Sequence, residues 1–215
     1  MNIKEIFEKR RSTRKFRTDP ISNEILNEIF HLGFQAPSSY NLQPWRFIVV
    51  RDSENKAKLR EFGFEQDKLV DAPVVLICCG DRTVSNRRYI NEVIELGRQI
   101  GTISEKRAKF MHMAIPPFFQ FKPCYQSYES WTNRQVMIAV TYLMIAAQSL
   151  GVDSCPIEGF VAKPLREYFQ IPESVDVCCL LALGYADEPF SQYGGRFGTD
   201  KLCYGEIYGE SVNLA

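Results

Sequence analysis

The sequence predicts an α+β protein with a central, mostly antiparallel sheet flanked by helices, and three observations predict it. Short strand-like apolar runs and longer helical stripes are mixed without regular strand–helix alternation. The chain has 215 residues, 45% hydrophobic and 24% charged, an ordinary globular composition. That length fills one domain, residues 1–215, and neither an internal repeat nor a linker divides it.

The elements follow in chain order. Ile3, Ile6 and Phe7 form a short helical face. Ser22 is placed as N-cap of a helix whose stripe is Ile25, Leu26, Ile29, Phe30 and Phe34. The stretch APSSYNLQPWRFIVV, residues 36–50, then breaks the pattern. Pro37 and Pro44 lack a backbone N–H, while Ser38, Ser39 and Asn41 bend the chain, so a loop leads into a strand at Arg46–Val50. Such a loop either connects or binds. Ser53 to Gly63 reads as helix, and Pro73–Cys79 as a second strand, rich in β-branched residues. Tyr89, Ile90, Val93, Ile94, Gly97 and Ile100 mark another amphipathic helix.

From Lys109 to Tyr128 the periodicity fails. Pro116, Pro117 and Pro123 interrupt an aromatic cluster of Phe118, Phe119, Phe121 and Tyr125. A loop this long in a compact domain is a lid or is disordered, and the aromatic load argues against disorder. A long apolar helix, Ser130–Leu150, is closed by Gly151. Its twelve-residue core, Val136–Ala147, is broken only by Thr141. A bilayer needs about 20 residues, so this helix belongs in a core or a subunit interface, since it is apolar on every side. Pro164–Phe169 is a short helix and Val177–Gly184 a third strand. The tail, residues 187–215, has five glycines and no helical period and should run extended over a surface as a C-terminal arm.

Composition excludes several classes. Lys plus Arg total 26 and Asp plus Glu total 26, so global charge favours neither nucleic acid nor an acidic substrate. No apolar segment follows Met1, so no signal peptide is expected, and no membrane span either. Seven cysteines form no CxxC pair; Cys78–Cys79 and Cys178–Cys179 sit in strand-like runs as buried thiols of a reducing cytoplasm. His31 and His112 are the only histidines, which disfavours a zinc site or a histidine-based triad.

Residues 9–17, KRRSTRKFR, hold six basic side chains in nine positions. This is either a solvated or nucleic-acid-binding face or an anion cradle. If residues 10–14 are extended, Arg10, Ser12 and Arg14 share one face and Arg11 and Thr13 the other. Two guanidiniums flanking a hydroxyl suit a phosphate. A phosphate-binding glycine fingerprint is absent, and GGRFG at 194–198 lacks the spacing, so side chains such as Arg196 and Lys201 would have to grip any nucleotide. In DSCPIEGF, residues 153–160, Pro156 and Gly159 mark an irregular turn with N–H groups free for a ligand. Glu158 there is either a general acid/base or a structural acceptor.

Five stretches in order carry a resemblance: RRSTRKF at 10–16, APSSYNLQPWRFIVV at 36–50, DAPVVLICC at 71–79, GVDSCPIEGF at 151–160 and LLALGYADEP at 180–189. Together they resemble the nitroreductase family of FMN-dependent oxidoreductases, along nearly the whole chain and most weakly over 81–128. The resemblance implies an intertwined α+β homodimer with two FMN sites at the subunit interface. Arg10 and Ser12 would hold the phosphate end with Arg11 nearby, and Arg14 would lie against the N1/O2 edge. Pro37, Ser38, Ser39 and Asn41 would cover the partner's flavin, with Tyr40 facing the substrate cavity. The turn formed by Pro156, Ile157, Glu158 and Gly159 would bring backbone N–H groups to flavin N5. That role is assigned to the backbone rather than to Glu158 as an acid/base.

Arg196 matches a second phosphate ligand, although Gly194 stands where some members have lysine. Glu65 or Gln66 stands where some members have an asparagine on the pyrimidine edge; Gln66 could make the same amide contacts, an ionised Glu65 would repel reduced flavin, and Lys68 matches a lysine near N1/O2. The implied activity is ping-pong hydride transfer from NAD(P)H through N5 to small acceptors such as nitroaromatics or quinones. No catalytic side chain is required, because the chemistry lies on the flavin. Phe118, Phe119 and Phe121, in a lid at about 109–128, would line the substrate pocket, and Trp131 with the Val136–Ala147 helix would form the dimer core. The alternatives are a reductive dehalogenase or flavin-fragmenting relative, or a non-catalytic flavin-binding protein.

Overall fold

A computed structural model describes residues 2–121, 127–187 and 194–214. The chain runs α1 (Ile3–Lys9), β1 (Phe16–Arg17), α2 (Asn23–Gly33), β2 (Trp45–Val50), α3 (Ser53–Phe62), α4 (Lys68–Asp71), β3 (Val74–Asp81) and α5 (Arg87–Gln99). It continues through α6 (Glu105–Phe121), α7 (Tyr128–Ser149), β4 (Asp153–Ile157), α8 (Ala162–Tyr168), β5 (Val175–Ala186) and α9 (Thr199–Leu202). The predicted N-cap is in place, with the Ser22 side chain accepting from the Ile25 N–H. Gly151 follows α7 at φ +77, a conformation that glycine adopts without penalty.

The strands form one sheet in the order β1–β5–β3–β2, with β4 also paired to β5, and each of these pairings is antiparallel. Both faces of β3 are covered, which is why it reads as continuous apolar sequence rather than alternating. Val74, Leu76 and Cys78 join Cys179, Leu181 and Leu183 of β5 beneath α2 and α7. Val75, Ile77 and Cys79, with Leu180 and Ala182, face the opposite way, toward Leu59, Leu69 and Leu165. α2 lies close on α7 because Gly33 has no side chain: a Cβ there would meet Leu143 at 2.3 Å.

A third cluster joins Ile90, Val93 and Ile94 of α5 to Ala108, Met111, Ile115 and Phe119 of α6. This corrects the expectation of a loop beginning at Lys109. Positions 108, 111, 115 and 119 are one helical stripe, hidden in the sequence by outward-facing apolar residues such as Phe110 and Met113. Pro116 and Pro117 each remove a helical donor, and the stripe's burial outweighs that loss. Phe121 closes the helix, whereas Tyr125 lies outside the described residues.

Three further expectations change. Residues 153–157 form a strand rather than a turn, because Ser154, Cys155 and Ile157 bury themselves against β5. Pro156 is tolerated there because β4 has a ladder partner in β5 alone among the described strands. The tail is not extended throughout: α9 gives it a helical turn, and Tyr204 bridges to Ser211. Trp131, expected in a dimer core, is 3% exposed within the single chain, its ring edge-on to Phe119 at 4.8 Å.

Candidate functional site

The basic segment leaves α1 at Arg10, whose N–H still closes the helix on the Ile6 carbonyl, and then runs beside β4. Ser12 makes a parallel bridge to Ser154, and the Thr13 N–H donates to the Ser154 carbonyl at 3.1 Å. Thr13 is thereby buried and Arg14 left exposed, the alternation expected of an extended chain.

Charge interactions show what gathers here. Burial lowers the Arg10 pKa, the positive charges of Arg11 and Arg196 lower it further, and the Cys155 thiol opposes them. Arg196, far away in sequence, therefore stands in the field of Arg10. Burial raises the pKa of the Cys155 thiol, while Lys68, Arg14 and Arg10 pull it back. Lys68, Arg14 and Arg10 thus act on Cys155 of β4, and Arg11 and Arg196 act on Arg10. Arg10 Nη1 and Ser154 Oγ are both buried without a hydrogen-bond partner. A buried guanidinium N–H that finds no acceptor is costly, and an anion with several oxygens would satisfy it.

The end of β4 leads to the second component. Glu158 and Gly159 are exposed, and their N–H groups make no backbone hydrogen bond outside the sheet ladder. Gln66 Nε2 donates to the Gly159 carbonyl at 2.9 Å and to the Gly63 carbonyl at 2.7 Å. Glu65 instead accepts from Arg60 Nη1 at 3.0 Å. Of the two neighbours, the neutral amide therefore stands at the turn. Phe64 and Glu65 reach this arrangement at φ 55 and φ 57. The Glu158 side chain has no hydrogen bond or ion pair among the described residues, as suits a turn that offers its backbone.

The third component is the serine-rich loop. Tyr40, Asn41 and Gln43 have φ of 55, 57 and 44, a run of left-handed residues that only surrounding structure can impose. Two bonds impose it. Gln135 on α7 accepts from the Ser39 N–H at 2.9 Å through a buried side chain, and Ser38 Oγ accepts from the Gln43 N–H at 2.9 Å. Pro37 and Asn41 remain exposed, and Ser38, Ser39 and Tyr40 are half-buried. The Tyr40 ring meets Phe118 edge-on at 5.6 Å. Phe119, one residue on, is 6% exposed and packed in the core, so it is not free to line a cavity.

The first two components meet at β4. The loop rests on α6 through Tyr40 and Phe118 and on α7 through Ser39 and Gln135. Sequence reasoning missed Ser154 and Cys155, which lie beneath the cluster, and Gln135, which props the loop. The one available signal for Gln135 was an amide beginning an otherwise apolar run. Among the described residues no group of His, Cys, Asp and Glu could hold a metal ion, and no helix is long and apolar enough to cross a membrane.

The profile of the nitroreductase family matches residues 7–185. A Thermus thermophilus protein named NADH dehydrogenase is 35% identical over 180 residues, 84% of each chain. YodC of Bacillus subtilis, provisionally named an NAD(P)H nitroreductase, is 30% identical over 195 residues, 89% of this chain and 93% of its own. A Staphylococcus epidermidis structure, described provisionally as an NAD(P)H:FMN oxidoreductase, superposes with a TM-score of 0.83 at 25% identity, covering 94% of each chain.

Proposed function

The chain belongs to the nitroreductase family of oxidoreductases, and from that premise we propose that it is an NAD(P)H-dependent FMN oxidoreductase acting on small acceptors such as nitroaromatics or quinones. The observation that carries the proposal is a buried Arg10 N–H without an acceptor, with Arg11 and Arg196 acting on Arg10, and Arg14 and Lys68 joining it at Cys155 of β4. The donor set fits FMN: several fixed cations for a phosphate, and an amide for a pyrimidine edge.

Arg10, Ser12 and Arg196 would hold the phosphate, with Arg11 beside them. Arg14 and Lys68 would supply positive charge toward the ring system, and fixed positive charge there would favour a reduced, more negative form. Gln66, whose Nε2 donates to the Gly63 and Gly159 carbonyls, steadies the chain at Glu158–Gly159 just past β4 and would offer its amide oxygen as an acceptor without adding charge. When bound, FMN supplies a centre that both accepts and donates hydride, as ping-pong exchange between NAD(P)H and an acceptor requires. The protein's part is to orient, to exclude water and to tune charge.

The loop 37–41 makes its described contacts with α6 and α7, through Tyr40 on Phe118 and Ser39 on Gln135, and we assign its outer side to the FMN of a second copy in a homodimer. Ile138 and Tyr142, on the open side of α7, are 36% and 39% exposed and supply an apolar stripe for that contact. Tyr40 and Phe118, at the end of α6, border the acceptor cavity. The six described cysteines are all free thiols, which suits a reducing cytoplasm.

The test is the visible spectrum of purified protein, followed by anaerobic addition of NADH or NADPH and then menadione or nitrofurazone. Two flavin bands that bleach with the nicotinamide and return with the acceptor are expected. A yellow protein that no nicotinamide bleaches would leave a flavin carrier, and a colourless one that ignores added FMN would end the reading.

A further inference from the structure

A second cavity lies within the single chain, where the C-terminal end of α5 and the start of α6 meet the serine-rich loop. It measures about 340 Å³, and its walls include Tyr40, Asn41, Leu96, Ile100, Met111 and Arg107. That volume is within the range of small-molecule sites, and its lining has their usual character, apolar walls with a few converging polar groups.

Three observations bear on what it could hold. Arg107 is an exposed residue in the first turn of α6 with its guanidinium over the Phe110 ring at 5.2 Å, and no carboxylate pairs with it among the described residues. Glu105, the acid nearest in sequence, is committed to Arg98 at 2.5 Å. Leu96 and Ile100 leave apolar surface open at the same place, Ile100 being 67% exposed. The opposite wall is the left-handed pair Tyr40 and Asn41, and strained backbone of this kind clusters at ligand sites.

We infer that this pocket binds a small amphiphilic acid, an aryl or alkyl skeleton carrying one carboxylate, with Arg107 reading the carboxylate. A single guanidinium forms a two-bond fork with one carboxylate, whereas a nucleotide phosphate would call for a cluster like that around Arg10. The skeleton lies against Leu96, Ile100 and Met111, and the Asn41 amide is within the same cavity for a second polar contact. One wall is the loop assigned above to the partner's FMN, so an acid bound here presses on that loop and alters turnover. This last consequence, unlike the binding, rests on the oxidoreductase reading.

The test compares 4-phenylbutyrate with 4-phenylbutan-1-ol by calorimetry on the protein as purified, so that skeleton size is held constant and only the charge changes. The acid should bind about tenfold or more tightly than the alcohol, from the usual strength of a hydrogen bond to a charged group. Arg107→Gln should abolish that ratio and Arg107→Lys should keep part of it. Ile100→Asp, at an exposed position where the fold is not at stake, should weaken the acid more than the alcohol. Equal affinities in the wild type, no binding of either compound, or a ratio that survives Arg107→Gln would overturn the inference. Because no turnover is measured, a protein without NAD(P)H oxidation would remove the oxidoreductase reading and leave this comparison to decide the pocket.

Discussion

Arg10 shows binding and stability pulling against each other in one side chain. Its guanidinium is half-buried, repelled by Arg11 and Arg196, and holds a buried N–H without an acceptor. In the free protein that arrangement is unfavourable, and a bound phosphate would relieve it. Arg10→Met, which keeps the bulk and removes the charge, should therefore weaken FMN binding by about 10-fold to 100-fold. The thermal midpoint of flavin-free protein should not fall. Fluorescence titration and a melting curve check the two halves; a variant that loses stability but keeps its FMN affinity would place Arg10 in the scaffold instead. Residue identities at this site were largely legible, because Arg10, Ser12 and Arg14 announce themselves in a dense basic run. Ser154, Cys155 and Gln135 were not, since a serine, a cysteine and a glutamine have no pattern until folding buries them beside something charged or strained.

At the scale of elements, β3 and β5 carry a pH dependence. Burial pushes the Cys79 thiol up to about 12, and Cys178 and Cys78 move in the same direction for the same reason. Below the thiols' ordinary value of 9.0 both folded and unfolded chains are protonated, and the contribution is intact. Between that value and the folded one, only the unfolded thiol ionises, so stability falls as pH rises. Urea midpoints should drop as pH rises from about 9 toward 12, and Cys79→Ala should flatten the fall; parallel curves for the two proteins would rule this cause out.

α6 supports a different expectation. A proline in a helix interior costs about 3 kcal/mol relative to alanine. Pro117→Ala, at an exposed position, should therefore raise stability by about 1–2 kcal/mol and slow hydrogen exchange in α6. No change in either would mean that the helix is already distorted enough to absorb the ring. The helix was hard to read because three prolines in a row of aromatics look like loop sequence. Its stripe at 108, 111, 115 and 119 becomes evident only with α5 beside it. β4 was misread for a related reason: Pro156 suggests a turn, but a strand paired on one side tolerates it.

The whole molecule presents its candidate site in two parts: cations around Arg10 and Cys155, and a strained loop on α6 and α7. Two copies meeting along α7 would join them. Ile138→Glu combined with Tyr142→Glu places two charges on that stripe without entering the core. The double variant should run as a monomer in light scattering and lose most of its FMN; a dimer that stays yellow would move the interface elsewhere. The amino-acid sequence by itself determined the fold class, the helix and strand order over most of the chain and the chemistry of the basic run, because periodicity, capping and charge density are local properties. Only the tertiary structure decided that Gln66 rather than Glu65 stands at the turn, that Arg196 joins Arg10, that Phe119 belongs to the core and that Arg107 faces a cavity. Each of those depends on which distant surfaces folding brings together, and spacing along the chain does not record it.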